Sequence, residues 1–234
     1  DLHDTGENRL FSEHYGQNAY HLGNVHLNQG DIATAEVLFQ TALDVFNELT
    51  VFDPDNAIWR SDRAISAYHL AWSFMLTDRR NVARDLLEQA IADLDALVAK
   101  TPGDLRIVEN LALAERLMAL LTLDKSIDQS LLLGARAQTR VMQVFNAETV
   151  KTRTALNAAI VAETYGRILR KSGDELTAIS IWKAALERLS MKDRADLTQA
   201  AVKRLLTVHL QGNSAAVEQS KQLEDAGFLD PRYR

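Results

Sequence analysis

The sequence predicts an all-α chain of about five antiparallel helix pairs with long helices, stacked side by side as a solenoid. Two observations carry the all-α class. Prolines number 3 and glycines 10 in 234 residues, too few for the turn density of a sandwich or barrel. Alanine, leucine, glutamate, glutamine and arginine, the strong helix formers, abound. A third observation carries the pairing: Gly23 and Ala35, Ala71 and Ala83, and Gly166 and Ala178 are each 12 residues apart. Two helices approach closely only where small side chains face each other, so a repeated small-to-small interval marks a repeated hairpin.

The first pair reads Leu22-Gly23, His26, Gly30-Asp31, Ala35, Phe39 and Ala42. Between its helices, Gly30 suits the left-handed C-cap and Asp31 the next N-cap. The second reads Leu70-Ala71, Phe74, Asp78, Ala83, Leu87 and Ala90. Asp53-Pro54-Asp55-Asn56 and Thr101-Pro102-Gly103-Asp104 break the chain on either side of it, since proline cannot donate in a helix interior. Ala35 to Ala83 is 48 residues and Ala83 to Ala178 is 95, so a further pair is due between them. It falls over Leu111 to Ala137, with Leu117-Met118, Ser130, Gly134 and Ala137 at the expected places in a degraded pattern. The fourth pair reads Tyr165-Gly166, Leu169, Gly173-Asp174, Ala178, Trp182 and Ala185. A weaker fifth covers roughly Leu197 to Ala226 and turns at Gly212-Asn213. Trp59 and Trp182 stand at packing positions and are expected in the core.

This order of small and large residues resembles the tetratricopeptide repeat (TPR), with a spacing of 48 residues where the ordinary unit has 34. The resemblance spans about Tyr15 to Ala226. It implies a right-handed α-α superhelix, one domain over 1–234, with units at about 10–52, 57–100, 104–145, 150–190 and 195–227 and a tail at 228–234. The run Phe52-Asp53-Pro54-Asp55-Asn56, Trp59, Asp62, Ala64, Ser66 and Leu70, leading into Ala83, Leu87 and Ala90, is similar to long TPR units of bacterial signalling proteins. In those, such arrays follow a serine/threonine kinase, a cyclase or a winged-helix DNA-binding module. The closing Leu223, Gly227-Phe228, Pro231 and Tyr233 resemble the end of some kinase-linked arrays. The resemblance therefore implies an interaction or sensing domain of a larger protein.

Composition narrows the chemistry. Against 32 acidic side chains stand 26 basic ones, and the net charge of −6 argues against a nucleic-acid or anionic-membrane surface. Cysteine is absent, which excludes a disulfide framework, a thiolate metal site and a cysteine nucleophile, and is compatible with a reducing or an oxidising compartment. The most apolar stretches, such as Leu117 to Leu123 and Ala155 to Ala162, fall short of the ~18 residues of a membrane span. The chain begins at Asp1 with no signal-peptide pattern, and an excised domain or processed form is expected.

No glycine-rich phosphate loop, Walker sequence or nucleophile elbow occurs, so no enzyme is expected and no cofactor. His14, His21 and His26 cluster in the first pair, with His3 near the start, but their spacings of seven and five miss the i, i+4 geometry of a helical metal site. Asp93 and Asp95 read as an exposed acidic face. In the TPR resemblance, the positions three before and one after the aligned small residue face a concave groove. These are Tyr20 and Asn24, Tyr68 and Trp72, Glu115 and Ala119, and Glu163 and Arg167. Asn24 stands where some peptide-binding arrays hold a ligand's backbone or terminal carboxylate. The lysine and arginine positions of a carboxylate clamp are not filled in the first three units.

The partner expected is therefore a protein or peptide segment. The rings of Tyr20, Tyr68 and Trp72 suit an apolar or proline-rich peptide, though Tyr68 and Trp72 suit the core equally. Arg167, Arg170 and Lys171 suit an acidic one. Two alternatives remain: a homodimer through Leu131-Leu132-Leu133, and a small-molecule sensor with Tyr20, Tyr68, Trp72 and Glu163 around its ligand.

Overall fold

A computed structural model of the chain describes residues 6–147, 152–190, 197–228 and 230–233. His3 and the predicted unit starts at 150 and 195 lie outside them, as does the side chain of Tyr233. Ten α-helices and no strand occur among the described residues: α1 (Gly6–Asn28), α2 (Ile32–Phe52), α3 (Ala57–Leu76), α4 (Arg80–Lys100), α5 (Leu105–Thr122), α6 (Ile127–Ala147), α7 (Thr152–Ser172), α8 (Glu175–Ser190), α9 (Leu197–Gln211) and α10 (Val217–Asp225). The first seven run 18 to 23 residues each, long for a helical repeat. None of the helices among the described residues is long and apolar enough to cross a membrane. The fold is all-α and built from helical hairpins.

Local sequence accounts for the breaks. At the end of α1, Gly30 takes φ 81°, and the Asp31 and Gly30 amides donate back to the His26 and Leu27 carbonyls at 2.9 and 3.0 Å. That is a Schellman cap. The same pair of bonds closes α7 at Gly173-Asp174, whose amides reach Arg170 and Leu169 at 3.1 and 2.9 Å. Asp31 and Asp174 then accept from the Thr34 and Thr177 amides, each at 3.1 Å, and so start α2 and α8. The Thr34 bonds hold the Asp31 carboxyl below the ordinary carboxylate range. Asn56 and Asp104 cap α3 and α5 in the same way.

The hairpin α3/α4 departs from this scheme. Its cap residue is Asp78, left-handed at φ 61° with no glycine to ease it. The following position is Arg79, which makes no side-chain cap to α4 and instead clasps Glu36 on α2. Replacing Asp78 with glycine removes a Cβ from a left-handed site, and we expect a gain of about 0.5–1 kcal/mol, read as a higher midpoint in thermal unfolding followed by circular dichroism.

Contacts fall into two compact units, Asp1–Asn110 and Leu111–Arg234, with the boundary inside α5. In the first, α1 packs on α2, α2 on α3 and α3 on α4. In the second, α6 packs on α7, α7 on α8, and α9 on both α7 and α8. Within the hairpins the small residues seat the large ones. A Cβ on Gly23 would lie 2.7 Å from the Phe39 ring, and Phe39 is fully buried. A Cβ on Gly166 would run into the Trp182 indole, also fully buried. Where the large residue is only Leu87, the small one is Ala71, and both are inaccessible.

The degraded third pair follows the same rule with the sizes exchanged. At the small position stands Met118 and at the large position Gly134, both buried. Close approach comes from the second helix instead: the Ser130 hydroxyl donates to the Ala119 carbonyl and lies 3.2 Å from Thr122 Oγ1. Gly134 then leaves room on its other side for Tyr165, whose ring a Cβ there would meet at 2.7 Å. The core of the second unit gathers Trp182, Leu189, Ala201, Val202 and Leu206, and Leu131 packs against it. Of the Leu131-Leu132-Leu133 run, only Leu132 is exposed.

Candidate functional site

The candidate residues sit on the first helix of each hairpin, and two clusters assemble from them, one per unit. In the first unit, Tyr20 on α1 meets His69 on α3 edge-on, ring centroids 5.0 Å apart, with its hydroxyl 3.3 Å from His69 Nε2. His69 also lies against Phe39 at 5.1 Å and Tyr68 at 4.8 Å, and Tyr68 meets Trp72 at 5.7 Å. The structure thus joins Tyr20, Tyr68 and Trp72 through one histidine. Tyr68 is 5% and Trp72 7% exposed, whereas Tyr20 and Asn24 are half-buried. Asn24 turns its amide back to the Tyr20 carbonyl at 3.1 Å, along its own helix.

Beside this cluster runs a polar seam. Trp59 donates its indole N–H to Glu13 at 2.8 Å, Gln17 donates to Asp62 at 3.1 Å, and Arg106 lies 3.6 Å from Asp62. Burial pushes the Asp62 carboxyl above its usual range, and the Gln17 bond and the Arg106 charge pull it partly back. The exposed acidic face expected at Asp93 and Asp95 is not formed. Both are half-buried, and Asp93 is neutralised by Arg63 at 2.5 Å and Arg60 at 3.5 Å from the neighbouring helix. Of the histidines, His26 pairs with Asp31 at 3.2 Å, His21 stacks edge-on to Tyr20, and His14 is exposed. Among the described residues, no three metal-ligating side chains converge.

In the second unit, Glu115 is completely buried and bound by Arg136 at 2.7 Å and Arg140 at 3.0 Å, both from α6. Glu163 and Arg170 on α7 both meet Trp182, and Arg167 reaches Glu163. Glu163 is 7% exposed and turned toward His209 Nε2 at 2.9 Å, with Arg167 at 3.7 Å. The Trp182 indole donates to the Glu163 carbonyl at 3.1 Å and stacks on His209 at 4.5 Å, the planes only 11° apart. Over the same indole, at 4.2 Å, lies the Arg170 guanidinium. It also donates to the His209 carbonyl at 2.9 Å and to Glu175 at 2.8 and 3.1 Å. Lys171 is engaged by Asp124 at 2.7 Å. The Arg167 and Arg170 side chains remain 47% and 37% exposed.

Sequence reasoning missed His69 and His209, the two residues that tie these clusters together. A signal was present. Bonds between successive first helices join residues 45 to 49 apart: Glu13 to Trp59, Gln17 to Asp62, Tyr20 to His69, Arg116 to Thr164 and Glu163 to His209. Looking one repeat ahead of each candidate finds both histidines.

No protein-family model matches the chain, and no curated protein matches it. Among solved structures, BtubC (BKLC) from P. vanneervenii superposes with TM-score 0.53 at 13% identity, over 95% of this chain and 92% of that one. The likeness is one of fold. A putative kinesin light chain from Podosopora anserina with nearly identical TPR-like repeats is matched with TM-score 0.48 at 17% identity, over 89% and 91% of the two chains. The pilF protein of Pseudomonas aeruginosa gives TM-score 0.33 at 15% identity, over 92% and 93%.

Proposed function

We propose that this chain is a non-catalytic scaffold or sensor that binds a protein or peptide segment, as part of a larger bacterial signalling protein such as a serine/threonine kinase or a transcriptional regulator. The signalling context rests on the resemblance of the Phe52 to Ala90 run. The binding reading rests on one observation, the partly exposed side chains of Arg167 and Arg170 three residues apart on α7, with the Arg170 guanidinium over the Trp182 indole that stacks on His209. Tyr68, Trp72 and Glu115 are buried, which turns the proposal from an aromatic groove to this basic one.

The chemistry suits an acidic segment. Arginine presents a planar fork of donors that a carboxylate matches with two bonds. Arg170 is held by the indole and by the His209 carbonyl, so little side-chain freedom is lost when a ligand arrives. Its partner Glu175 is 48% exposed, and such a surface pair contributes only about 0–1 kcal/mol, so an incoming carboxylate replaces it at small cost. Glu163 stays turned inward on His209.

Peptides rich in Asp and Glu, and their Asn and Gln counterparts, test this by fluorescence anisotropy. The acidic series is expected to bind, weakening with added salt, and the Arg167→Glu/Arg170→Glu double variant to bind it at least about tenfold more weakly. Equal binding of neutral peptides, or undiminished binding by the double variant, overturns the reading.

A further inference from the structure

The outer face of α1 is built unlike the other solvent faces. Nine of its described side chains are exposed, and none of them is Asp, Glu, Lys or Arg, in a chain that is 25% charged. Instead Phe11, Tyr15, Leu22 and Val25 are 73%, 53%, 48% and 48% exposed. With Asn18 between them they follow intervals of four, three, four and three residues, the spacing of a helix that packs against another helix along one seam. Leu10, 55% exposed, widens the stripe at its N-terminal end. The end of α2 continues it there, because Arg9 lies over the half-exposed ring of Phe52. Elsewhere among the described residues, Val37, Ile58, Val82, Leu132, Leu176 and Val217 are exposed on six different helices, and Val51 stands beside Phe52 at the end of α2.

We propose that this face is a homodimer interface, in which α1 packs antiparallel against α1 of a second copy about a two-fold axis. The stripe is self-complementary. Asn18 lies seven residues from both Phe11 and Val25, so an antiparallel copy sets Asn18 near Asn18 and lays the aromatic end of one helix on the aliphatic end of the other. A lone asparagine in an apolar seam fixes the register of such a pair. The five residues Phe11, Tyr15, Asn18, Leu22 and Val25 carry no full charge, so pairing them adds no like-charge contact to the repulsion between two copies at −6 each. The area is sufficient. At these exposures the five apolar side chains, fully covered, offer on the order of 500 Å² per copy, hence about 1,000 Å² in a dimer, the threshold that a biological interface must clear.

Sedimentation velocity on the full chain is expected to show a dimer at micromolar concentration. The Tyr15→Glu/Leu22→Glu variant, changed at two exposed sites, is expected to sediment as a monomer with unchanged helicity, its dissociation constant raised at least about a hundredfold. The chain contains no cysteine, so Asn18→Cys provides a second readout. It is expected to oxidise to a covalent dimer, while Val217→Cys, 62% exposed on α10, stays monomeric. A wild-type chain that is monomeric throughout the range, a double variant that still dimerises, or no preference of Asn18→Cys over Val217→Cys overturns the proposal. Should the double variant lose helicity, the cysteine pair decides.

Discussion

Replacing Gly166 with alanine is expected to lower stability by about 2–3 kcal/mol, the cost of forcing a methyl group into a filled contact. The added carbon would run into Trp182 Nε1 and Cε2 and lie 2.9 Å from Cδ1. Trp182 has nowhere to retreat: it is fully buried, stacked on His209 and bonded to the Glu163 carbonyl. In a chain of this size the change reads as a fall of about 4–10 °C in the thermal midpoint. The size exchange between hairpins supplies the matching control. Ala71 and Leu87 hold the same two positions in the α3/α4 hairpin and are both fully buried. Adding Trp182→Leu to Gly166→Ala is therefore expected to cost about 1–2 kcal/mol less than the two changes summed. Additive losses, or a Gly166→Ala chain as stable as the parent, would show that the glycine is not there to seat the indole.

The second large effect lies at Glu115. Removing its carboxylate by Glu115→Ala is expected to cost about 3 kcal/mol, because it empties a fully enclosed site and strips the counter-charge from Arg140, whose side chain is only 23% exposed. The reverse changes should be milder. The Arg136 side chain is 40% exposed, so water solvates what remains after Arg136→Gln, and the surviving Arg140 still faces the carboxylate; a loss of about 1 kcal/mol is expected. Chemical denaturation of the three chains reads the asymmetry. Equal losses at Glu115 and Arg136 would mean that the carboxylate is not the keystone of the cluster.

The residues that resisted sequence reading share a cause. Gly30, Gly173 and their aspartates announce themselves because cap and turn chemistry is local: a left-handed φ and an N-cap oxygen depend on the residue and its next few neighbours. Ala35, Phe39, Ala83, Leu87, Ala178 and Trp182 announce themselves because burial repeats with the helix period. Neither signal says which side of a first helix meets water. Position three before the small residue holds a half-buried Tyr20 in one hairpin, a buried Tyr68 in the next and a buried Glu115 in the third. For Tyr20 and Glu115 the difference lies in what the adjoining helix brings, His69 to the one and Arg136 and Arg140 to the other, whereas Tyr68 meets His69 and Trp72 of its own helix.

Sequence alone determined the all-α class, the caps at Gly30-Asp31 and Gly173-Asp174, and the seating of Phe39 on Gly23 and Trp182 on Gly166, since each follows from spacing along one or two helices. Tertiary structure alone decided that Glu115 is a buried counter-ion, that Tyr68 and Trp72 are closed to solvent, that His69 and His209 join the candidate residues, and that no charged residue is among the exposed described side chains of α1. Those facts depend on residues between 21 and 49 positions apart or on which face of a helix is left uncovered, and a helix's own periodicity is blind to both.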